Sequence, residues 1–164
     1  MWEIYKFDFS EVESFDFKEV IRKSLKKARS APMIHLESSA SDKEIIEMEK
    51  KVGIIFPEQY KYFLNQCKAV IFDFDIYLGR LGTFFDEPVK VLWNKKRVVF
   101  ATKEETISDM YYCWDVEDLE GEVFKLKHSW GGGYGKREEK PFAPNFCLAF
   151  WRLCKETIEN YEPW

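Results

Sequence analysis

Residues 69–79 read AVIFDFDIYLG, and the fold turns on how they are taken. An apolar run that delivers Asp-x-Asp is one way for an enzyme to present a carboxylate nucleophile, Asp73, beside a Mg²⁺-binding carboxylate, Asp75. Such a strand belongs in a doubly wound parallel sheet. The same letters also alternate with period two. Val70, Phe72, Phe74, Ile76 and Leu78 share one face, and Ile71, Asp73, Asp75 and Tyr77 share the other. That pattern describes an antiparallel strand with one wet face. The flanking sequence decides between the two.

Parallel strands need a crossover of a dozen or more residues, usually a helix. From Gly79 to Arg97 the chain offers Gly82, Pro88 and short alternating segments, with no helical stripe. VKVLW and RVVFA flank NKK, and MYYCWDV and EVFKLK flank EDLEG, so each trio predicts a hairpin. HSWGGGYGKREEKPFAP, residues 128–144, reads as a long loop punctuated by Gly and Pro. NFCLAFWRLCKETIENY then predicts a closing helix. Asn145 caps it, and Phe146, Ala149, Phe150, Leu153, Cys154, Thr157 and Ile158 line one face.

Upstream, residues 2–9 (WEIYKFDF) read as a short strand. From about Ser14 to Arg29 the apolar positions Phe17, Val20, Ile21, Leu25 and Ala28 recur at helical spacing, and six bases fill the opposite face. A narrow stripe without Trp predicts a solvated surface helix. A short strand follows at Met33–Leu36. Ser41 is an N-cap, and Glu44 completes a capping box. Ile45, Met48 and Val52 make one stripe, and Gly53 ends the helix where a left-handed C-cap belongs. Pro57 opens a second helix, striped by Tyr60, Phe63, Leu64 and Cys67. Together these form a helical hairpin with a tight elbow.

Helices, then adjacent strands, then a helix indicate α+β with an antiparallel sheet. The expectation is a single domain over residues 38–164, its helical hairpin and C-terminal helix packed against the sheet. An extension, residues 1–37, carries the basic amphipathic helix.

The phosphatase alternative, of the haloacid-dehalogenase type, gains Thr102 at the end of VVFAT and Asp115 with Asp118 as a late acidic pair. It lacks the crossover helix, and Ile76 and Tyr77 stand where its glycine and threonine belong. WGGGYGK does not read as a phosphate-binding loop, because Lys136 is followed by Arg137 and Glu138 and no apolar strand runs directly into the glycines. His128 has no nucleophile motif near it. Cys67, Cys113, Cys147 and Cys154 show no Cys-x-x-Cys pair and read as buried thiols. No cofactor or metal is expected.

The protein has 164 residues, 46% of them hydrophobic, with 15 Phe, 8 Tyr and 6 Trp. That is enough apolar surface for a core without staples. No apolar run reaches the ~20 residues of a membrane span. The N-terminus lacks the marks of a signal peptide, so a cytoplasmic location is expected. The net charge of −4 argues against a general nucleic-acid binder. Residues 103–122 hold Glu104, Glu105, Asp109, Asp115, Glu117, Asp118, Glu120 and Glu122 against Lys103 alone.

The stretch SDKEIIEMEKKVGIIFPEQYKYFL resembles the N-terminal signature of the SUKH superfamily, the group containing Syd and the yeast cell-wall regulators of the Knr type. Ile45, Glu49, Gly53, Ile54, Phe56, Pro57, Tyr60, Phe63 and Leu64 carry the likeness. YYCWDVEDLEGEVFKLKH and LAFWRLCKETI are similar to its paired strands and closing helix. Lys68-Ala69-Val70 departs from the Asn-Gly-Gly often found after the second helix, and residues 1–35 match no part of the pattern. The resemblance implies a domain without an enzyme site, most often a bacterial immunity protein that neutralises a toxin. Its partner would be a protein, a toxin with a basic nuclease-like cleft, met by an acidic surface that steers encounter. The expected partner-binding residues are Asp73, Asp75, Tyr77, Asp86, Glu87, Glu117, Asp118 and Trp130. Neither nucleic acid nor membrane is expected as a partner, and the protein is expected to be a monomer or weak dimer. A regulatory interaction scaffold is the second reading, and the phosphatase is the remote one.

Overall fold

Helix-forming and strand-forming segments alternate in the computed structural model much as the hydrophobic periods require. It describes residues 3–12, 16–72, 76–78, 90–92, 96–104, 108–129 and 136–160. Helices α1 (Phe17–Arg29), α2 (Asp42–Val52), α3 (Glu58–Gln66) and α4 (Phe146–Glu159) combine with strands β1 (Ile34–Leu36), β2 (Val70–Phe72), β3 (Ile76–Leu78), β4 (Lys90–Leu92), β5 (Arg97–Glu104), β6 (Ser108–Asp115), β7 (Asp118–Ser129) and β8 (Lys136–Ala143). The strands form one sheet in the order β1-β2-β3-β5-β6-β7-β8, with β4 paired beside β3 on the same edge of β5. Every pairing among the described residues is antiparallel. The domain is therefore α+β, and among the described residues there is no parallel pairing of the kind a haloacid-dehalogenase-type phosphatase needs.

The helical hairpin forms as its letters require. The Ser41 hydroxyl accepts from the Glu44 N–H at 3.2 Å, and the Glu44 carboxylate accepts from the Ser41 N–H at 3.2 Å. Gly53 lies at φ 86°. A Cβ there would touch nothing within 4 Å, so backbone strain alone opposes a side chain. Gly53→Val is expected to cost about 1 kcal/mol or more, because a β-branched residue resists the left-handed region. Pro57→Ala is expected to cost less, and a pair of urea melts checks the order. A neutral Gly53→Val would remove the cap from the account.

The core lies between the helices and one face of the sheet. Tyr60 packs on Phe56 at 5.3 Å, Trp114 at 5.3 Å and Phe146 at 5.3 Å between ring centroids, with Phe63 and Phe100 completing the shell. The apolar stripe of α1 (Val20, Ile21, Leu25, Ala28) is buried, and α1 packs on α3, α4 and β1. Its six bases are all exposed.

Four expectations need correction. Residues 70–78 are not one strand, because Val70 pairs with Leu78 and Phe72 with Ile76, so the chain reverses between β2 and β3. A hairpin with an odd connection keeps the period-two alternation, which is why the letters do not distinguish the two. The second hairpin turns at Val116 and Glu117, with Asp115 opposite Asp118, so DLEG belongs to β7. A bulge between Trp114 and Asp115 takes up the extra residues. Residues 136–143 are strand β8, not loop. Its charges and Pro141 suit an edge, where a missing N–H and a polar face discourage further pairing. Residues 3–9 form no strand. Glu3–Tyr5 is a 3₁₀ turn, and the aromatic alternation reflects packing on α4 and β8. Tyr5 and Phe9 are buried. The Arg152 guanidinium lies 4.6 Å from the Phe7 ring and donates to the Tyr5 and Phe142 carbonyls at 3.2 and 2.9 Å.

Candidate functional site

The acidic segment of the sequence splits, once folded, into carboxylates with structural partners and carboxylates facing solvent. Asp115 accepts from the Arg97 guanidinium at 3.2 Å and from the Glu117 N–H at 2.9 Å. Glu120 accepts from the Glu58 N–H at 2.8 Å. It thereby caps the positive end of α3, where Pro57 offers no side-chain acceptor. Glu122 accepts from the Tyr5 hydroxyl at 2.8 Å, and burial together with that carboxylate pushes the Tyr5 pKa up to about 12.

Glu117 and Asp118 are exposed at the β6–β7 turn. Asp118 leans back over its own strand, and a Cβ on Gly121 would lie 2.1 Å from its Oδ2. Glycine at 121 makes room for that carboxylate. Of the other expected partner-binding residues, Asp73, Asp75, Asp86, Glu87 and Trp130 lie outside the described residues. Tyr77 stands on β3 opposite Ile71 and Thr102 in the ladder.

The register separates two ends of the sheet. Ile76, next to the connection that holds Asp73 and Asp75, pairs with Lys103 near one end of β5. Asp115, next to the Glu117–Asp118 turn, pairs with Arg97 at the other end. Six residues of strand put these ends roughly 20 Å apart.

Between them, the sheet face turned away from the helices carries a small second cluster of Val99, Cys113 and Leu126, with Tyr111 and Phe124 at its margin. Arg97 lies over the Phe124 ring at 5.2 Å and pairs with Asp115 at 3.2 Å and Glu139 at 2.8 Å. Hydrogen bonding to Glu139 raises the Arg97 pKa, so the charge is fixed. The sequence reading missed Arg97 and Glu139. They lie 42 positions apart in the chain, and only the pairing of β5 through β8 brings them together.

All four cysteines are free and buried. Burial pushes Cys113 and Cys147 up to about 12, and Cys67 and Cys154 shift the same way. Among the described residues no group of three or more His, Cys, Asp or Glu is placed to hold a metal ion. A thiol whose folded pKa lies above its unfolded value of about 8.5 adds stability that is full below that pH and is lost as pH rises toward the folded value. The urea midpoint is expected to fall between pH 9 and 11. Each thiol contributes on the order of 1 kcal/mol per pH unit. Cys113→Ala should flatten the slope, and a slope unchanged by that variant would mean the thiol is open to water when folded.

A helical hairpin and a C-terminal helix on one face of a meandering antiparallel sheet define an α+β domain. A family model described as SMI1-KNR4 cell-wall, of the SUKH_6 group, matches residues 42–146. The chain belongs to this SMI1-KNR4 family within the SUKH superfamily. The match runs from α2 to the first residue of α4, leaving α1 and β1 before it. No curated protein matches the chain. Among the described residues no helix is long and apolar enough to cross a membrane.

Proposed function

We propose that the protein is an immunity-type inhibitor that binds a cognate toxin in the cytoplasm and blocks it by occlusion, without catalysis. The observation that carries this reading is the exposed acidic turn at Glu117 and Asp118, on a domain of this family. Unlike Asp115, Glu120 and Glu122, these two carboxylates accept no long-range hydrogen bond among the described residues that would explain them structurally. A basic nuclease-like toxin is the partner this surface complements, because carboxylates there compete for the charges that would hold nucleic acid. Asp73, Asp75, Asp86, Glu87, Tyr77 and Trp130 are the further contact candidates in the same proposal.

The test is association kinetics against the product of the adjacent gene at two salt concentrations. Charge reversal of Glu117 with Asp118 is expected to lower the association rate several-fold and flatten its salt dependence, with less change in dissociation. Reversal of Asp73 with Asp75 is expected to act in the same direction, because exposed charges steer encounter over about a Debye length, ~8 Å at physiological salt. An association rate indifferent to salt and to both reversals would remove the acidic ends from the account. The family description, which names the cell wall, favours a regulatory scaffold as the second reading. Failure to capture the neighbouring gene's product, with capture of cell-wall regulators instead, would select it.

A further inference from the structure

The exposed half of α1 is basic, with Glu19 the one acid on the helix. At 3.6 residues per turn, Arg22, Lys26 and Arg29 fall within about 60° of one another, and Lys27 lies about 100° further round. All four are exposed, and none of the four takes part in an ion pair among the described residues. Lys18 lies over the Tyr62 ring at 5.6 Å, and Lys23 pairs with Glu19 at 3.0 Å. The opposite side of the helix, Val20, Ile21, Ser24, Leu25 and Ala28, is buried. Core packing therefore fixes the helix and points four unpaired cations outward along about 10 Å of its axis.

We infer that this face is a docking surface for the anionic headgroups of a membrane. Clustered Lys and Arg on a helix complement such a surface through charge alone. The apolar stripe that would enter a bilayer is committed to the core, so the contact is peripheral. Geometry selects a flat partner over a nucleic-acid duplex. Half-buried, α1 stands out from the domain by about 5–6 Å, half a helix diameter. The major groove of a duplex is ~8.5 Å deep, and a helix held this low does not reach its floor. A plane requires no depth, and long Lys and Arg stems reach it from the flanks of the helix as well as from its crest. The fold also keeps the two charged regions apart. Phe17 packs on Tyr62 at 6.0 Å, and α1 then runs toward β1, whose partner β2 follows the C-terminal end of α3. The acidic turn is tied to the N-terminal end of α3 through Glu120 and the Glu58 N–H. A molecule docked through α1 thus leaves Glu117 and Asp118 clear of the bilayer. The inference stands with or without the toxin-binding reading.

The test is co-sedimentation of the whole protein with vesicles of mixed phosphatidylglycerol and phosphatidylcholine, and with vesicles of phosphatidylcholine alone. Binding to the anionic vesicles is expected at about 0.05 M NaCl, at least about tenfold weaker at about 0.5 M, and absent with phosphatidylcholine. Each base near an anionic surface strengthens binding about fivefold. Arg22→Gln, Lys26→Gln, Lys27→Gln and Arg29→Gln combined should therefore weaken it at least about a hundredfold, and Lys26→Gln alone about fivefold. Arg22→Lys with Arg29→Lys, which keeps the charge, should retain binding. Lys43→Gln, Lys50→Gln, Lys96→Gln and Lys140→Gln combined removes the same charge from exposed sites elsewhere and should weaken binding less than about threefold, because charges away from the contact are screened. Urea midpoints check that each variant is folded, and the single Lys26→Gln decides the matter if the fourfold variant is not. No binding at low salt, equal binding to phosphatidylcholine, full binding by the folded α1 variants, or an equal loss in the Lys43 set would each overturn the inference. Tighter binding of a DNA duplex than of the anionic vesicles would overturn it in favour of nucleic acid.

Discussion

Phe146→Ala lowers the stability of the protein by about 3–5 kcal/mol, a large part of the ~5–15 kcal/mol typical of a whole domain. Phe146 is the first residue of α4 and lies where the helix layer meets the sheet. Its ring lies 5.3 Å from Tyr60, 5.4 Å from Phe63, 5.4 Å from Phe100 and 6.0 Å from Trp114. Those rings come from α3, β5 and β6, so removing Phe146 opens a space that no single element can move to fill. Aromatic edge-to-face contacts go with it. Phe146→Leu, which keeps most of the volume, should cost about half as much. Urea unfolding gives both numbers. A loss under about 1.5 kcal/mol for the alanine variant would mean that the aromatic centre relaxes into the space.

Glu49→Leu is the second large effect, about 3 kcal/mol. Glu49 lies on α2 and is almost completely buried. Its Oε2 accepts from the Phe56 N–H at 2.7 Å, across the elbow of the helical hairpin, and lies 3.5 Å from Lys61 on α3. The carboxylate therefore satisfies a buried backbone donor in the turn that Gly53 begins. Leucine would leave that N–H without a partner, which carries the desolvation cost of a buried donor, and would strand the Lys61 contact. Glu49→Gln keeps an acceptor and should cost about 1 kcal/mol. Lys61→Ala should cost less than about 1 kcal/mol, because that ammonium is more than a third exposed. Equal losses in Glu49→Gln and Glu49→Leu would show that the charge, and not the hydrogen bond to Phe56, holds the elbow.

Glu49 marks the boundary between what the letters carry and what they do not. The capping box at Ser41 and Glu44, the left-handed glycine at 53 and the stripe of Tyr60, Phe63, Leu64 and Cys67 were all legible. Each depends on neighbours within about four residues, where helix geometry is the same in any protein. The α+β class was legible too, because helical and strand periods fall in separate blocks. Glu49 belongs to the family pattern, yet its role needs Phe56 to come back beside it, and no local spacing says that it will.

Strand limits were less legible, for a physical reason. Period-two alternation is the same on one long strand and on two short strands joined by an odd connection, so residues 70–78 could not reveal the reversal between β2 and β3. A charged strand with a proline looks like a loop until a neighbour supplies its ladder, as β7 does for β8. The candidate surface was the least legible of all. Eight acids between residues 104 and 122 look like one patch in the chain. Long-range partners sort them: Glu120 is drawn to the first turn of α3, Glu122 to Tyr5 and Asp115 to Arg97, while Glu117 and Asp118 stay exposed. By itself the sequence determined the helices, their caps, the apolar faces and the α+β class, because those follow from local periodicity and burial. Only the tertiary structure decided which charges are free to meet a partner and which are consumed in the fold, because a charge's surroundings are set by residues far away in the chain.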